Sequence, residues 1–274
     1  MDARLQLRVQ RYGWDRAAAV YDAAWRGPLT PAQDLLLEMA GLDPGEEVLE
    51  TACGSGLVTH RVARAVGPTG RVVGTDLSQG MLDEAEAATA EADLPHVTFQ
   101  RMNAESLDLP DASFDVVLCS LGLMYVPDPG AAIREMGRVL RPGGRAVAAV
   151  WGERSRCGWA EVFPIVDARV NTEVCPLFFQ LGTRDTLRNH LEDAGFQDVE
   201  VRRIQVTLPF ASREEALEAA FAGGPVAMAY SRFDPGTRDE IHGAYLDSIA
   251  PFRTPEGYRI PGEFVVARGE WPGG

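Results

Sequence analysis

The stretch that decides the fold is "VLETACGSGLVTHRVARAVGPTGRVVGTDLS", which runs from Val48 to Ser78. It predicts two short apolar strands that flank a glycine loop and a helix. Gly54 and Gly56 carry no side chain that would keep a ligand away from the backbone, and the free amides at the helix start favour a negatively charged group. Asp76 ends the second strand, 20 residues after Gly56, where a carboxylate can accept hydrogen bonds from both hydroxyls of a ribose. The stretch therefore predicts a nucleoside site.

Strands and helices alternate on both sides of this stretch. The strand segments "FDVVLCSL" and "RAVAAVW" are apolar on both faces, which is typical of central parallel strands covered by helices on each side. Asp128 and Pro129 predict the start of a helix that runs to Leu140. The alternation predicts an α/β fold.

Two helices are expected before the first strand. One lies near Asp15 to Trp25. The next has Thr30 as its N-cap, Pro31 at its first position, Gln33 in a capping box and a left-handed exit at Gly41. The sequence thus predicts a helix boundary close to residue 30.

The C-terminal part of the chain departs from simple alternation. Helical segments at about Arg213 to Tyr230 and Thr237 to Ile249 lie between the last two predicted strands, and we expect them to cover a pocket as a lid. We divide the single domain, 1–274, into an N-terminal helical cap (1–28), a cofactor-binding core (29–152) and the remaining sheet with its lid insertions (153–274).

Composition excludes several classes of function. The formal net charge is −14, and all 26 basic residues are arginine. An acidic surface without a basic cluster disfavours nucleic acid, and the lack of lysine excludes Schiff-base enzymes and lysine-dependent phosphate loops. No apolar run of 18 residues occurs, so we expect a cytoplasmic protein without membrane insertion.

The four cysteines, Cys53, Cys119, Cys157 and Cys175, show no spacing typical of a metal site. We expect no metal and interpret them as small buried hydrophobic residues. A thiolate trap for arsenite is an alternative, which requires Cys157 and Cys175 to approach Cys53 or Cys119.

A dinucleotide-dependent oxidoreductase is a second alternative. Its glycine fingerprint requires a third glycine at position 59, where this chain has Thr59. Glu50 at the entrance of the loop would also repel two phosphates. Both residues argue against NAD(P).

Four segments in order carry a resemblance to a known family: "VLETACGSG", "VVGTDLSQGMLDEA", "NAESLDLPDASFDVVLCSLGLMYVPD" and "LRPGGRAVAAVW". They resemble the successive motifs of class I S-adenosylmethionine-dependent methyltransferases over roughly Leu35 to Gly152, and are most similar to the ubiquinone/menaquinone-biosynthesis C-methyltransferases and related small-molecule enzymes. The resemblance implies a Rossmann-like, doubly wound, mostly parallel sheet of seven strands with helical lid insertions.

The resemblance also implies roles in binding S-adenosylmethionine. Glu50 matches the acid near the amino group, Gly54 and Gly56 the loop under the methionine part, and Asp76 the ribose acceptor. The other implied cofactor residues are Leu77 and Met81 on the adenine faces, Asn103, Ala104 and Glu105 at the adenine edge, Ser120 and Leu121 beside the methyl group, and Tyr21 on a closing N-terminal helix. Ala52 stands where the family usually has a glycine, which matters only if that position needs a positive φ.

The methyl acceptor is less defined by the sequence. The aromatic candidates for its pocket are Trp25, Tyr125, Trp159, Phe163, Phe178, Phe179, Tyr230 and Tyr258. They favour a small hydrophobic or planar acceptor, with C- or O-methylation preferred on the resemblance. Tyr21 and His242 are weak candidates for a general base, which some acceptors do not need. A donor-binding protein without turnover is a further alternative, and a homodimer is a possible assembly.

Overall fold

The computed structural model describes residues 3–170 and 177–272. Within these ranges, the strands are β1 Glu47–Thr51, β2 Arg71–Asp76, β3 Val97–Arg101, β4 Phe114–Ser120, β5 Leu140–Trp151, β6 Gln197–Phe210, β7 Arg253–Thr254 and β8 Gly257–Glu270. The α-helices are α1 Ala3–Ala40, α2 Thr59–Val66, α3 Gln79–Glu91, α4 Pro129–Val139, α5 Val162–Asp167, α6 Thr186–Asp193, α7 Arg213–Leu217, α8 Ala227–Tyr230 and α9 Pro235–Ile249.

All these strands form one sheet in the order β3-β2-β1-β4-β5-β8-β6, and the two-residue β7 pairs with β8. Strands β1 to β5 are parallel, whereas β8 is antiparallel to both β5 and β6. The predicted doubly wound, mostly parallel fold is confirmed, with β7 as an addition. The strand order reverses between β1 and β4, and the carboxyl ends of neighbouring parallel strands at such a switch point form a crevice suited to a ligand.

Strand β4 lies in the centre of the core. Val116 and Leu118 belong to one buried cluster, while Val117 and Cys119 belong to another. Alternate residues of a strand point to opposite faces, so apolar layers cover both sides of the sheet, as predicted from "FDVVLCSL".

Helix α1 differs from the prediction of two helices. It is continuous from Ala3 to Ala40 and contains Pro28 and Pro31. The hydroxyl of Thr30 donates to the carbonyl of Arg26 at 2.8 Å instead of capping a new helix. Pro28, Leu29, Ala32 and Gln33 are buried, so packing of this turn overrides the local capping signal. Gly41 does supply the predicted left-handed exit, with φ +54°.

The lid also consists of more and shorter helical elements than predicted. The segment expected as one helix from Arg213 to Tyr230 consists of α7, a π-helical turn at Glu218–Ala222, a "GGPV" loop and then α8. A Cβ placed on Gly223 would lie 3.1 Å from the Cβ of Ala24 in α1. The small residue therefore allows the lid to approach the N-terminal helix closely.

In the part of the chain that the structure describes, no helix combines the length and apolar character needed to span a membrane.

Candidate functional site

The loop between β1 and α2 has three residues in the left-handed region. Ala52 has φ +52°, Gly54 +55° and Gly56 +81°. A side chain on Gly54 would extend into open space, whereas a Cβ on Gly56 would lie only 3.0 Å from the ring of His60. Gly54 thus faces the cavity, and Gly56 permits close packing of the loop against α2.

Asp76 lies at the end of β2 beside this loop. Its Oδ2 accepts a hydrogen bond from the Gly54 amide and its Oδ1 one from the Ser78 amide, both at 2.9 Å. Burial raises the pKa of Asp76 despite these two hydrogen bonds. Each carboxylate oxygen has further acceptor capacity, so the side chain can both fix the loop and accept hydrogen bonds from a ligand.

Glu50 at the end of β1 is almost completely buried, with 1% of its surface exposed. Its Oε2 accepts a hydrogen bond from the hydroxyl of Thr59 at 2.5 Å. Burial raises the pKa of Glu50 to about 8, and the nearby Asp76 contributes to this shift. Glu50 does not line the cavity described below; it is a buried acid that is largely protonated near neutral pH.

A cavity occupies the crevice at the switch point and encloses about 940 Å³ that protein atoms do not fill, part of it open to solvent. Ten of the predicted cofactor residues line it. In chain order these are Tyr21, Ala52, Gly54, Asp76, Leu77, Met81, Asn103, Ala104, Ser120 and Leu121. The resemblance thus indicated residues from five separate segments that the fold brings to one cavity.

The segment after β3 forms the rim of the cavity. Asn103 donates to Glu105 at 3.2 Å, and the Glu105 amide donates back to Asn103 Oδ1 at 3.1 Å. The other carboxylate oxygen of Glu105 accepts from the Asp128 amide at 2.6 Å. Glu105 is not among the lining residues, so its side chain fixes Asn103 and the start of α4.

Strand β4 ends beneath the centre of the cavity, where Ser120 and Leu121 line it. Leu121 has φ +61°, a conformation that is uncommon for a residue with a side chain. The following residue, Gly122, has Ala52 directly beside it, because a Cβ on Gly122 would lie 2.4 Å from the Ala52 Cβ. The two chain turns at the switch point are therefore packed against one another.

Aromatic rings line the part of the cavity farther along the sheet: Trp25, Trp151, Trp159 and Phe178. The ring centroid of Trp159 lies 4.8 Å from that of Trp151, 5.5 Å from that of Phe178 and 6.0 Å from that of Trp25. We call these four residues the aromatic box. Edge contacts of this kind fix the rings in place, so the box is suited to a flat apolar group.

The N-terminal helix closes the cavity on the opposite side. Asp15 in α1 accepts hydrogen bonds from the Ser78 hydroxyl at 2.6 Å and the Gly80 amide at 3.1 Å, and Asp22 accepts one from the Ser55 hydroxyl. Burial raises the pKa of Tyr21, as do the charges of Asp22 and Asp76. The Tyr21 hydroxyl therefore stays protonated and can donate a hydrogen bond.

Among the acceptor candidates, Trp25, Tyr125, Trp159 and Phe178 line the cavity, whereas Tyr258 in β8 does not. Phe163 and Phe179 are not lining residues but pack against Trp159, each at a centroid distance of 5.8 Å. Tyr230 also lies outside, where its hydroxyl contacts His242 Nε2 at 3.1 Å. His242 thus has its place in the lid and not in the cavity.

Several lining residues were missed by the sequence interpretation. They are Leu7, Gln10, Trp14, Leu29, Met102, Gly122, Val126, Trp151, Gly224 and Pro225. A signal existed in α1, where Leu7, Gln10, Trp14, Tyr21 and Trp25 are separated by three, four or seven residues and so share one helix face. The loop residues of the lid give no comparable periodic signal.

The described cysteines, Cys53, Cys119 and Cys157, are buried thiols. Burial raises the pKa of Cys119 to about 11 and that of Cys157 to about 12. Cys175 lies outside the described residues. No cluster of three or more potential metal-ligating side chains occurs within residues 3–170 and 177–272.

Comparisons with known proteins agree with this geometry. Residues 48–144 match the family described as a methyltransferase domain. The chain is 30% identical over 207 residues to demethylmenaquinone methyltransferase of Geobacillus sp., covering 69% of this chain and 86% of that enzyme. It is 37% identical over 127 residues to demethylmenaquinone methyltransferase of Listeria monocytogenes serotype 4a, covering 46% of this chain and 54% of that enzyme.

A solved structure shares the fold. It is phosphoethanolamine N-methyltransferase 2 of Haemonchus contortus in complex with S-adenosyl-L-methionine, with a TM-score of 0.62 and 17% identity, covering 94% of this chain and 57% of that one. At this identity the similarity concerns the architecture alone.

Proposed function

Because this chain belongs to the class I S-adenosylmethionine-dependent methyltransferases of the menaquinone/ubiquinone type, we propose that it methylates a ring carbon of a planar hydroxylated aromatic acceptor. The acceptor class is that of a demethylated naphthoquinol. The observation that carries the proposal is one cavity that extends from Asp76 to the aromatic box. The relatives named demethylmenaquinone methyltransferase support the same class. No comparison supports the dinucleotide-dependent alternative.

The near end of the cavity fits S-adenosylmethionine. Open space lies in front of Gly54, where a side chain would otherwise extend, and the Asp76 carboxylate is held at the rim by two backbone amides. In this proposal Asp76 accepts the ribose hydroxyls, and Leu77, Met81 and Asn103 surround the adenine. When bound, S-adenosylmethionine supplies an electrophilic methyl group on a sulfonium sulfur.

The chain's own contribution is to position the acceptor and exclude water. Methyl transfer from an activated donor gains mainly from alignment of the two reactants. The aromatic box provides flat apolar walls for one ring, and Ser120 and Leu121 line the same cavity. Gly224 and Pro225 of the lid and Tyr21 of α1 close the cavity above.

Tyr21 is unsuited to act as a general base. Its raised pKa keeps the phenol protonated at neutral pH, so it can orient a ligand but cannot remove a proton from it. His242 contacts Tyr230 instead of the cavity. In our proposal the acceptor is therefore electron-rich enough to attack the methyl group without prior deprotonation by either residue. S-adenosylhomocysteine leaves with the electron pair of the broken S–CH3 bond, and the proton of the methylated ring carbon is released to solvent.

The proposal is tested with purified protein, S-adenosylmethionine and a short-chain demethylnaphthoquinol kept reduced under anaerobic conditions. The expected product gains one methyl group on the quinoid ring, detected by mass spectrometry and located by NMR. Donor binding in calorimetry without any methylated product from naphthoquinol, ubiquinol-type or phenolic acceptors would support a binding protein without turnover. Absence of donor binding would contradict the proposal altogether.

Homodimerisation, a cytoplasmic location and the absence of nucleic acid as a partner stay predictions of the sequence.

A further inference from the structure

Trp159 has a buried hydrogen-bond donor without a partner. Only 2% of the residue is exposed, and its indole Nε1 contacts no acceptor among the described residues. A buried N–H that makes no hydrogen bond is unfavourable, since it has lost its contact with water. Such a group in a native protein calls for an explanation, and a ligand is one.

The position of Trp159 points to a ligand. Four buried side-chain nitrogen atoms lack a partner in the described part of the chain, on Arg11, His96, Trp159 and Arg238. Trp159 is the one residue of these four that lines the cavity. The unpartnered donor therefore belongs to a residue that lines the site where an acceptor would bind.

The ring of Trp159 is held firmly in place. It contacts the rings of Trp25, Trp151 and Phe178 in the aromatic box, and those of Phe163 and Phe179 behind it. Because these rings supply no strong hydrogen-bond acceptor, they cannot satisfy the indole N–H. A donor fixed by its neighbours loses little conformational entropy when it binds an oxygen atom.

The geometry points to Trp159 as the residue that donates a hydrogen bond from Nε1 to an oxygen atom on the ring of the methyl acceptor. This inference rests on the proposed function and defines the acceptor further, as an aromatic ring that carries a carbonyl or hydroxyl oxygen. Trp159 would then be a positioning residue that distinguishes oxygenated rings from plain hydrocarbons of the same shape. The apolar walls of the aromatic box alone would bind oxygenated rings and hydrocarbons equally well.

The test compares two probes that differ in one oxygen atom, α-tetralone and its hydrocarbon analogue tetralin. Binding is followed by the indole N–H signals of ¹⁵N-labelled protein in the presence of S-adenosylhomocysteine. The chain has 5 tryptophans, and the signal of Trp159 is identified as the one lost in Trp159→Phe. This substitution retains a six-membered aromatic ring and removes the five-membered ring that carries the N–H donor.

We expect wild-type protein to bind α-tetralone about fivefold more tightly than tetralin, because one hydrogen bond typically lowers the Kd by about this factor. The Trp159 N–H signal should move downfield with α-tetralone alone. In Trp159→Phe the two probes should bind within a factor of about two. Trp271→Phe, whose ring packs on Phe196 away from the cavity, is the matched control and should retain the wild-type preference.

A purely structural role would weaken both probes equally in Trp159→Phe, and retained discrimination in that variant would overturn the inference. The probes undergo no methyl transfer, so the result does not depend on turnover. Failure of S-adenosylhomocysteine to bind in calorimetry would instead contradict the proposed function. The two failures are therefore distinguishable.

Discussion

The Cβ of Ala52 fills the space that a side chain on Gly122 would need, because a Cβ on Gly122 would lie 2.4 Å from it. Ala52 follows β1 and Gly122 follows β4, so this contact joins the two turns at the switch point. Ala52 also has φ +52°, so the alanine that replaces the family's usual glycine does occupy a position that requires a positive φ. The cost of that conformation is about 1 kcal/mol for a residue with a Cβ.

The first prediction concerns this contact. Gly122→Ala should lower the free energy of unfolding by about 2 kcal/mol, since the new methyl group overlaps Ala52. Ala52→Gly should have a small effect, because relief of the positive φ offsets the greater freedom of glycine in the unfolded chain. The double variant should recover at least about half of the loss in urea unfolding. Additive effects in the double variant would show that the two turns are not coupled.

The second prediction concerns Asp76. Asp76→Asn should raise the Kd for S-adenosylmethionine between about tenfold and a hundredfold, because it removes the negative charge and one of the two oxygen acceptors that hold the Gly54 and Ser78 amides. Isothermal titration calorimetry measures this change directly. Asp193→Asn, at an exposed helix end, is the matched control and should bind like wild type. Unchanged affinity in Asp76→Asn would contradict the proposed contact between Asp76 and the ribose.

The third prediction follows from the raised pKa of Glu50. The folded protein keeps the Glu50 proton up to about pH 8, whereas the unfolded chain releases it near the ordinary glutamate value of about 4.3. Between these values the folded state binds more protons, so the free energy of unfolding should fall as pH rises and then level off above pH 8. The contribution is on the order of a few kcal/mol.

Glu50→Gln provides the comparison, because glutamine imitates the protonated acid and can still accept from Thr59. Its unfolding free energy should depend less on pH from 5 to 8 than that of wild type. The raised pKa of Asp76 acts in the same direction and is retained in both proteins. Parallel pH curves for the two proteins would contradict the assignment to Glu50.

The fourth prediction concerns Tyr21. Because its pKa is raised, Tyr21→Phe should lower kcat by less than about tenfold, which is below the hundredfold or greater loss typical of a missing general base. The pH dependence of kcat should keep its shape. A hundredfold loss, together with a shifted alkaline limb, would restore Tyr21 as a base.

The fifth prediction separates lining residues from packing residues. Trp25→Leu should raise the KM for the acceptor by about tenfold, because it removes one wall of the aromatic box. Tyr230→Phe should leave this KM unchanged, since the Tyr230 hydroxyl contacts His242 outside the cavity. Steady-state kinetics at saturating donor measure both. A larger effect in Tyr230→Phe than in Trp25→Leu would place the acceptor against the Tyr230 hydroxyl instead of in the aromatic box.

The cofactor half of the cavity could be predicted from the sequence because its residues lie next to strand ends. Asp76 and Ser120 end β2 and β4, Leu77 and Leu121 come directly after them, and parallel strands bring their carboxyl ends to one edge. The residue pattern alone indicated Asp76, whereas Leu77, Ser120 and Leu121 were implied by the resemblance to the methyltransferase family. Glu105 was placed in the right segment, but its hydrogen bonds to Asn103 and the Asp128 amide became visible only in three dimensions.

The acceptor half could not be predicted to the same degree. Phe163 and Trp159 both lie in an aromatic-rich insert, yet only Trp159 lines the cavity while Phe163 packs behind it. Composition does not specify which ring faces inward, because that choice depends on packing between distant segments. The helix boundary near Thr30 failed for a related reason, since burial of Leu29 and Ala32 stabilises a helical turn that local propensity disfavours.

The two prolines inside α1 have a consequence for ligand exchange. Pro28 and Pro31 have no amide hydrogen, so the carbonyls of Ala24 and Gly27 receive no helical hydrogen bond from them. Bending at this point distorts two fewer hydrogen bonds than bending elsewhere in the rod. We therefore expect the part of α1 that lines the cavity to bend at this point when ligands exchange, while Leu36 and Ala40 remain packed in the core.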